Sequence, residues 1–219
     1  RYRCPGTQQG YSPFSTWTRG LAWVMCGYPE QLELLAELPD ESLQPLGGRD
    51  AIESMMLRAA RASCDFYIQT TPPDGIPYWD TGAPGLAAIP DHQQVAANPL
   101  DTPEPVDSSA AAIGAQGLLR LGHYLRGRED ESAAHYWQAG LTVARTLLAE
   151  PYLSTASDHQ GLLLHSIYHR PGGWDHCPAG SSSPHGEACM WGDYHLRELA
   201  LYLGRIAADG PYYTYFGPL

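Results

Sequence analysis

The segment from Asp107 to Gly127 constrains the fold more than any other. Asp107-Ser108-Ser109 offers side-chain oxygens to the free N–H groups of a helix start, and the following residues are nearly all small or apolar. The helix is expected from Ala110 to about Leu125, where Gly127 ends it. Ala111, Ala112, Ala115, Leu118, Leu119 and Tyr124 are its small and apolar positions. Small side chains let a neighbouring helix approach closely, so this helix calls for partners.

The rest of the chain supplies them. Arg1 to Ser12 is polar and carries Gly and Pro, a loop. Ser15 or Thr16 is expected to cap a helix with Trp17, Leu21, Val24 and Met25 on one face. Pro29 is expected to open a second short helix, with Leu32, Leu35 and Ala36 inward and Pro39 beyond its end. After the Gly47-Gly48 break, Asp50 caps a helix to about Thr70. Its apolar positions are Ile52, Met55, Met56, Ala59, Ala62, Cys64, Phe66 and Tyr67. Thr71 to Val106 is proline-rich and irregular, and such stretches in compact domains are more often functional than idle. A further helix spans about Glu131 to Glu150, with Tyr136, Ala139, Val143, Ala144 and Leu147 inward and Pro151 after it. Gly161 to Tyr168 has β-like character, and Pro171 to Pro184 is a Gly/Ser/Pro loop. The last helix covers about Glu187 to Ala207, before Gly210-Pro211. Five or six helices in up-down order make an all-α layer, a single domain over residues 1–219.

Charge narrows the function. The net charge is −11, and all 13 basic residues are Arg. That balance excludes nucleic acid and anionic membrane surfaces as partners, since both reward basic patches. No apolar run reaches the length of a membrane span. Only 17% of residues are charged, while 6 Trp and 14 Tyr are present. Such a chain has either a large aromatic core or a concave site walled by rings. The five cysteines (Cys4, Cys26, Cys64, Cys177, Cys189) form no framework, so free buried thiols in a reducing, cytoplasmic setting are expected. His176-Cys177, His185, Cys189 and His195 fit no common zinc spacing, and no metal or cofactor is expected.

Three stretches together resemble one family. Gln9 precedes Trp17-Thr18-Arg19-Gly20-Leu21-Ala22-Trp23. Pro77-Tyr78-Trp79-Asp80 precedes Asp107-Ser108-Ser109-Ala110-Ala111-Ala112-Ile113, and Trp191-Gly192-Asp193-Tyr194 lies in the last helix. In order and spacing these are similar to blocks of the unsaturated glucuronyl hydrolases, glycoside hydrolase family 88. Thr18 and Leu21 depart from that pattern, replacing a small residue and a Gln. The resemblance implies the C-terminal half of an (α/α)6 toroid, an incomplete barrel whose N-terminal half is absent, with an apolar flank left uncovered. It also implies hydration of the C4=C5 vinyl ether in an unsaturated glucuronyl residue at the non-reducing end of lyase-generated oligosaccharides. The family's catalytic carboxylates belong to the first half of the barrel, so no catalytic residue is assigned here.

The substrate-binding residues expected on this basis are Gln9, Trp17, Arg19, Trp23, Asp80, Asp107, Ser166 and Arg170. Arg19 offers a guanidinium fork to a uronate carboxylate, or else a salt bridge at the rim. Trp17 and Trp23 offer ring faces to the sugar, with core packing as the alternative for Trp17. Gln9 offers an amide. Asp80 is expected at the pocket mouth, and Asp107 either there or as the helix cap. Ser166 with Arg170 is expected to take a sulfate or second uronate at a loop edge. Asp193, mid-helix among apolar residues, is expected to hold a structural hydrogen bond. Two rival readings remain. One is the sister family of unsaturated rhamnogalacturonyl hydrolases, which have Gly-Trp where Ala22-Trp23 stands and lack the Asp-Ser-Ser-Ala block. The other is a non-catalytic sugar-binding half-toroid.

Overall fold

The computed structural model describes residues 6–100, 102–214 and 216. Cys4 and the first five residues of the expected N-terminal loop lie outside the described residues. Among the described residues there are six α-helices, beside short 3-10 turns: α1 (Thr18–Glu37), the single turn α2 (Asp40–Leu43), α3 (Arg49–Thr70), α4 (Ser108–Arg126), α5 (Ala133–Leu147) and α6 (Met190–Ala207). Among the described residues there is no β-sheet, only isolated bridges such as Trp17 to Asp80 and Tyr78 to Val106. No described helix is long and apolar enough to cross a membrane.

The central element is α4, buried on every side from Ser108 to Gly122. A helix without a polar stripe belongs inside a bundle, and α4 packs against α1, α5 and α6 while α3 rests on α1. Glycines set how closely the helices approach. A Cβ at Gly117 would overlap the Met25 carbonyl and stand 2.8 Å from the Cys26 nitrogen; one at Gly122 would stand 2.8 Å from the Trp137 nitrogen. The crossings therefore run backbone against backbone.

Pro29 does not begin a new helix. It lies inside α1, which runs unbroken for 20 residues. Proline removes the N–H that would have bonded the carbonyl four residues earlier, which is Met25, and that carbonyl is where Gly117 of α4 approaches. Packing there offsets the local cost. Rather than Ser15 or Thr16, the N-cap position of α1 is Trp17, without a side-chain cap. Thr18 N–H instead donates to the Trp79 carbonyl at 3.1 Å, and Thr18 Oγ1 to Tyr78 O at 2.8 Å. Likewise Gly48, with φ at +85°, precedes α3, leaving Asp50 in its first turn, where a carboxylate suits the helix dipole.

The buried faces of α1 and α3 are also rotated from expectation. Val24, Ala36, Met55, Ala62 and Phe66 are exposed, whereas Thr18, Arg19, Glu33 and Ser63 are buried. Cys26 and Cys64 are buried thiols, but Cys177 is exposed. The irregular stretch 71–106 contains one 3-10 turn (Pro84–Ala88) and is packed: Ile76, Tyr78, Trp79, Ala83, Leu86 and Val106 join the core. Glu104 anchors it, accepting from Trp79 Nε1 at 2.8 Å and from Gly85 N–H at 2.9 Å.

Arg120 of α4 fastens the end of the described chain. Its Nη1 donates to Glu33 Oε2 at 2.7 Å and to the Tyr213 carbonyl at 2.9 Å, while the Tyr212 hydroxyl donates to Glu33 Oε1 at 2.5 Å. Burial raises the pKa of Glu33 even so, against the pull of Arg120.

These crossings predict a contrast between two glycines. Gly117→Ala forces α1 and α4 apart and costs at least about 1–3 kcal/mol in urea denaturation. Gly127→Ala, at the α4 C-cap with φ at −63° and room for a Cβ, changes stability by less than about 0.5 kcal/mol.

Candidate functional site

Where the N-termini of α1, α4 and α6 meet, a cavity of about 340 Å³ opens, lined by Gln8, Gln9, Trp17, Arg19, Trp23, Tyr168, His169, Trp174 and Trp191. Four of the expected residues, Gln9, Trp17, Arg19 and Trp23, meet there. The remaining walls come from Tyr168, His169 and Trp174 in the 161–184 region and from Trp191 on α6.

Arg19 forms the back of the cavity and is itself only 4% exposed. Its Nη1 donates to Asp107 Oδ2 at 3.1 Å, to Ser109 Oγ at 3.2 Å and to the Ile167 carbonyl. Its Nη2 donates to Gln9 Oε1 at 3.1 Å and to the Tyr168 carbonyl at 2.9 Å. The guanidinium also lies over two rings: its central carbon is 5.0 Å from the Trp17 centroid and 4.9 Å from that of Trp191. Arginine's flat, delocalised cation suits such stacking. The terminal nitrogens expected to grip a ligand carboxylate are thus already committed to protein acceptors, and Arg19 is a buried ion pair rather than an open fork.

Asp107 is that pair's other member, wholly buried. Its Oδ1 accepts from Ser109 N at 3.1 Å, from Ala110 N at 3.3 Å and from the Ser109 hydroxyl at 2.5 Å. It therefore caps α4 and braces Arg19, and does not line the cavity. Ser109 Oγ also accepts from Trp191 Nε1 at 3.1 Å, which carries the brace to the third wall. Gly20 is required beside them, because a Cβ there would stand 2.8 Å from Trp17 Cε3.

Three further expectations are corrected. Asp80 does not sit at a pocket mouth: it is fully buried, and its carboxylate accepts from Tyr11 N and Gly82 N, each at 2.9 Å, pinning one loop to another. Ser166 is buried against Ser108, Oγ to Oγ 3.0 Å, and borders not the Arg19 cavity but an adjoining one behind Tyr168 and Trp174, with His176, His185 and Glu187. Arg170 borders yet another, beside Tyr11, Trp79 and Glu104. Ser166 and Arg170 are not brought together, so they form no joint anion site. Asp193 accepts from Leu162 N at 3.1 Å and Leu163 N at 2.8 Å, a structural anchor. Trp174 had no sequence signal of periodicity; its one cue was a large ring in a Gly/Pro loop. Among the described residues no three or more His, Cys, Asp or Glu gather to hold a metal.

Among the uncommitted polar groups at the cavity are several donors, while the Gln8 amide and the Tyr168 hydroxyl can also accept. No carboxylate lines it, Gln9 has spent its carbonyl oxygen on Arg19, and the rings contribute N–H groups. The site suits a flat, acceptor-rich ligand such as a sugar bearing a carboxylate.

No family model matches the chain. It is 29% identical over 201 residues to the unsaturated glucuronyl hydrolase of Bacillus sp. (strain GL1), covering 91% of this chain and 42% of that enzyme. The crystal structure of the Bacillus enzyme superposes with a TM-score of 0.63. A second relative of the same name, from Formosa agariphila, is 27% identical over 88% of this chain and 37% of its own length. Another, the unsaturated chondroitin disaccharide hydrolase of Streptococcus agalactiae, is 26% identical over 88% of this chain and 38% of its own length. A structure of an unsaturated glucuronyl hydrolase variant from that species, complexed with dGlcA-GalNAc6S, matches at 25% identity and a TM-score of 0.62, covering 94% of this chain and 43% of that one. The chain thus spans about two-fifths of the length of these unsaturated glucuronyl hydrolases.

Two expectations follow from the geometry. Replacing Arg19 by Met leaves the buried Asp107 carboxylate without its cation and costs about 3–5 kcal/mol. Arg19→Met combined with Asp107→Asn costs less than the two single changes summed, as a double-mutant cycle in urea would show.

The second concerns His195, whose ring stands edge-on to Trp23 with centroids 5.0 Å apart. Burial lowers its pKa, with Glu198 opposing. A lowered imidazole contributes stability that is full above the unfolded value and is lost as pH falls through the folded one. Urea midpoints between pH 7.5 and 5.5 should therefore fall less steeply in His195→Asn than in the unaltered chain.

Proposed function

We propose that this chain is the sugar-holding part of an unsaturated glucuronyl hydrolase, built as the C-terminal half of an (α/α)6 toroid. The observation that carries the reading is the meeting of Gln9, Trp17, Arg19 and Trp23 in one aromatic cavity. Rings on several sides offer faces to the C–H surface of a sugar, and the donors offer bonds to its carboxylate or hydroxyl oxygens. The relatives' names supply the substrate class: oligosaccharides, among them chondroitin disaccharides, that end in an unsaturated glucuronyl residue. Partial exposure of Trp23, Val24, Tyr194 and Leu201 on α1 and α6 fits an apolar flank that further helices would cover.

The reaction is hydration of a vinyl ether. One carbon of the double bond takes a proton, water adds to the carbon bearing the ring oxygen, and the hemiketal opens to release the next sugar. A carboxyl group serves as acid and then as base. Asp80 and Asp107, the two carboxylates expected among the substrate-binding residues, are sealed and occupied with backbone N–H groups or Arg19. In this reading the acid comes from the part of the toroid that this chain does not span. The cavity as described holds the ground state and transition state alike, which gives binding without rate.

A titration with unsaturated chondroitin disaccharide separates the possibilities. The chain should bind it, seen as quenching of tryptophan fluorescence, while the ultraviolet absorbance of the conjugated double bond persists. Loss of absorbance would place a proton donor within these residues and contradict the division of roles. Binding of saturated sugars equally well would favour a non-catalytic sugar-binding protein.

A further inference from the structure

Two of the polar side chains around the aromatic cavity are engaged by protein partners. Arg19 is bound by five acceptors, Trp191 Nε1 by Ser109. His169 differs. It lines this cavity, half-buried, with its ring against Trp174 at a centroid separation of 4.5 Å. Its Nδ1 accepts a hydrogen bond from the Gly172 backbone N–H at 2.9 Å. A backbone N–H only donates, so Nδ1 is an acceptor and the neutral ring carries its hydrogen on Nε2. That Nε2–H has no hydrogen-bond partner among the described residues.

The backbone that carries the ring is also held in place. Asp175 accepts from the backbone N–H of Tyr168 and, at 3.0 Å, from that of His169. The loop closes on itself through Gly172, where a Cβ would stand 2.7 Å from His169 Nδ1. Orientation, tautomer and stacking are therefore all set before any ligand arrives, which is how a donor acquires selectivity without paying to be ordered.

We propose that His169 is a specificity-determining residue of this cavity, donating from Nε2 to an oxygen of the bound unsaturated uronate. The assignment rests on reading the cavity as a sugar site. It gives Arg19 a different role from His169: Arg19 fixes the walls, and His169 touches the ligand.

The test uses the whole chain and unsaturated chondroitin disaccharide, with affinity followed by tryptophan fluorescence. His169→Phe keeps a ring against Trp174 and removes the donor, and should weaken binding about tenfold or more. His169→Gln restores an N–H donor and should recover most of that loss. Nitrogen-15 spectra of the free protein should show the His169 proton on Nε2. Binding by the unaltered chain with an unchanged affinity in His169→Phe overturns the assignment while leaving the sugar site intact. So does a proton found on Nδ1. Failure of the unaltered chain to bind at all removes the sugar reading, and His169's role with it.

Discussion

The pairing of Arg19 with Asp107 is the interaction on which the site depends. Two charges leave water completely, which is costly unless each finds enough partners. Here each does. Asp107 collects the first N–H groups of α4, and Arg19 collects two main-chain carbonyls from the 161–184 region and the Gln9 amide. One ion pair thereby joins the starts of α1 and α4 to a loop whose carbonyls lie 148 and 149 residues from Arg19, with Trp17 and Trp191 beside the cation. The same economy explains why the cavity offers a ligand rings and neutral polar groups but neither the Asp107 nor the Arg19 charge.

Below the site, backbone proximity does the work that large side chains do elsewhere. The α4 helix crosses α1 and α5 at glycines, so small volumes separate the main chains. A bundle packed this closely positions its helix ends with little play. The cavity lies at those ends, where side chains from α1, α6 and two loops converge.

Much of this was legible in the sequence, for reasons that differ by residue. The cap and span of α4 were readable because Asp107, Ser108 and Ser109 act on N–H groups only a few residues away. Gln9, Trp17, Arg19 and Trp23 were readable as a set from their resemblance to a known block. Pro29 misled because a local rule predicts a helix start, while the crossing at Gly117 lets the helix continue. The faces of α1 and α3 misled because apolar spacing marks several possible stripes, and only tertiary packing selects one. Asp80 and Arg170 depend on long-range placement of irregular segments, about which spacing says nothing. Val24 and Phe66 illustrate the same limit: they are apolar and helical, yet they face outward.

The aromatic walls come from residues 17–23, 168–174 and 191, and no two of those stretches adjoin in the chain. They are held together through one guanidinium and its acceptors. Loosening the loop that carries Ile167 and Tyr168 would withdraw two carbonyls from Arg19 and free Trp174 and Trp191 in the same event. The cavity therefore belongs to one cooperative opening unit. Amide protons at its separate walls would exchange with solvent on a common schedule, and a ligand seated there would slow all of them together.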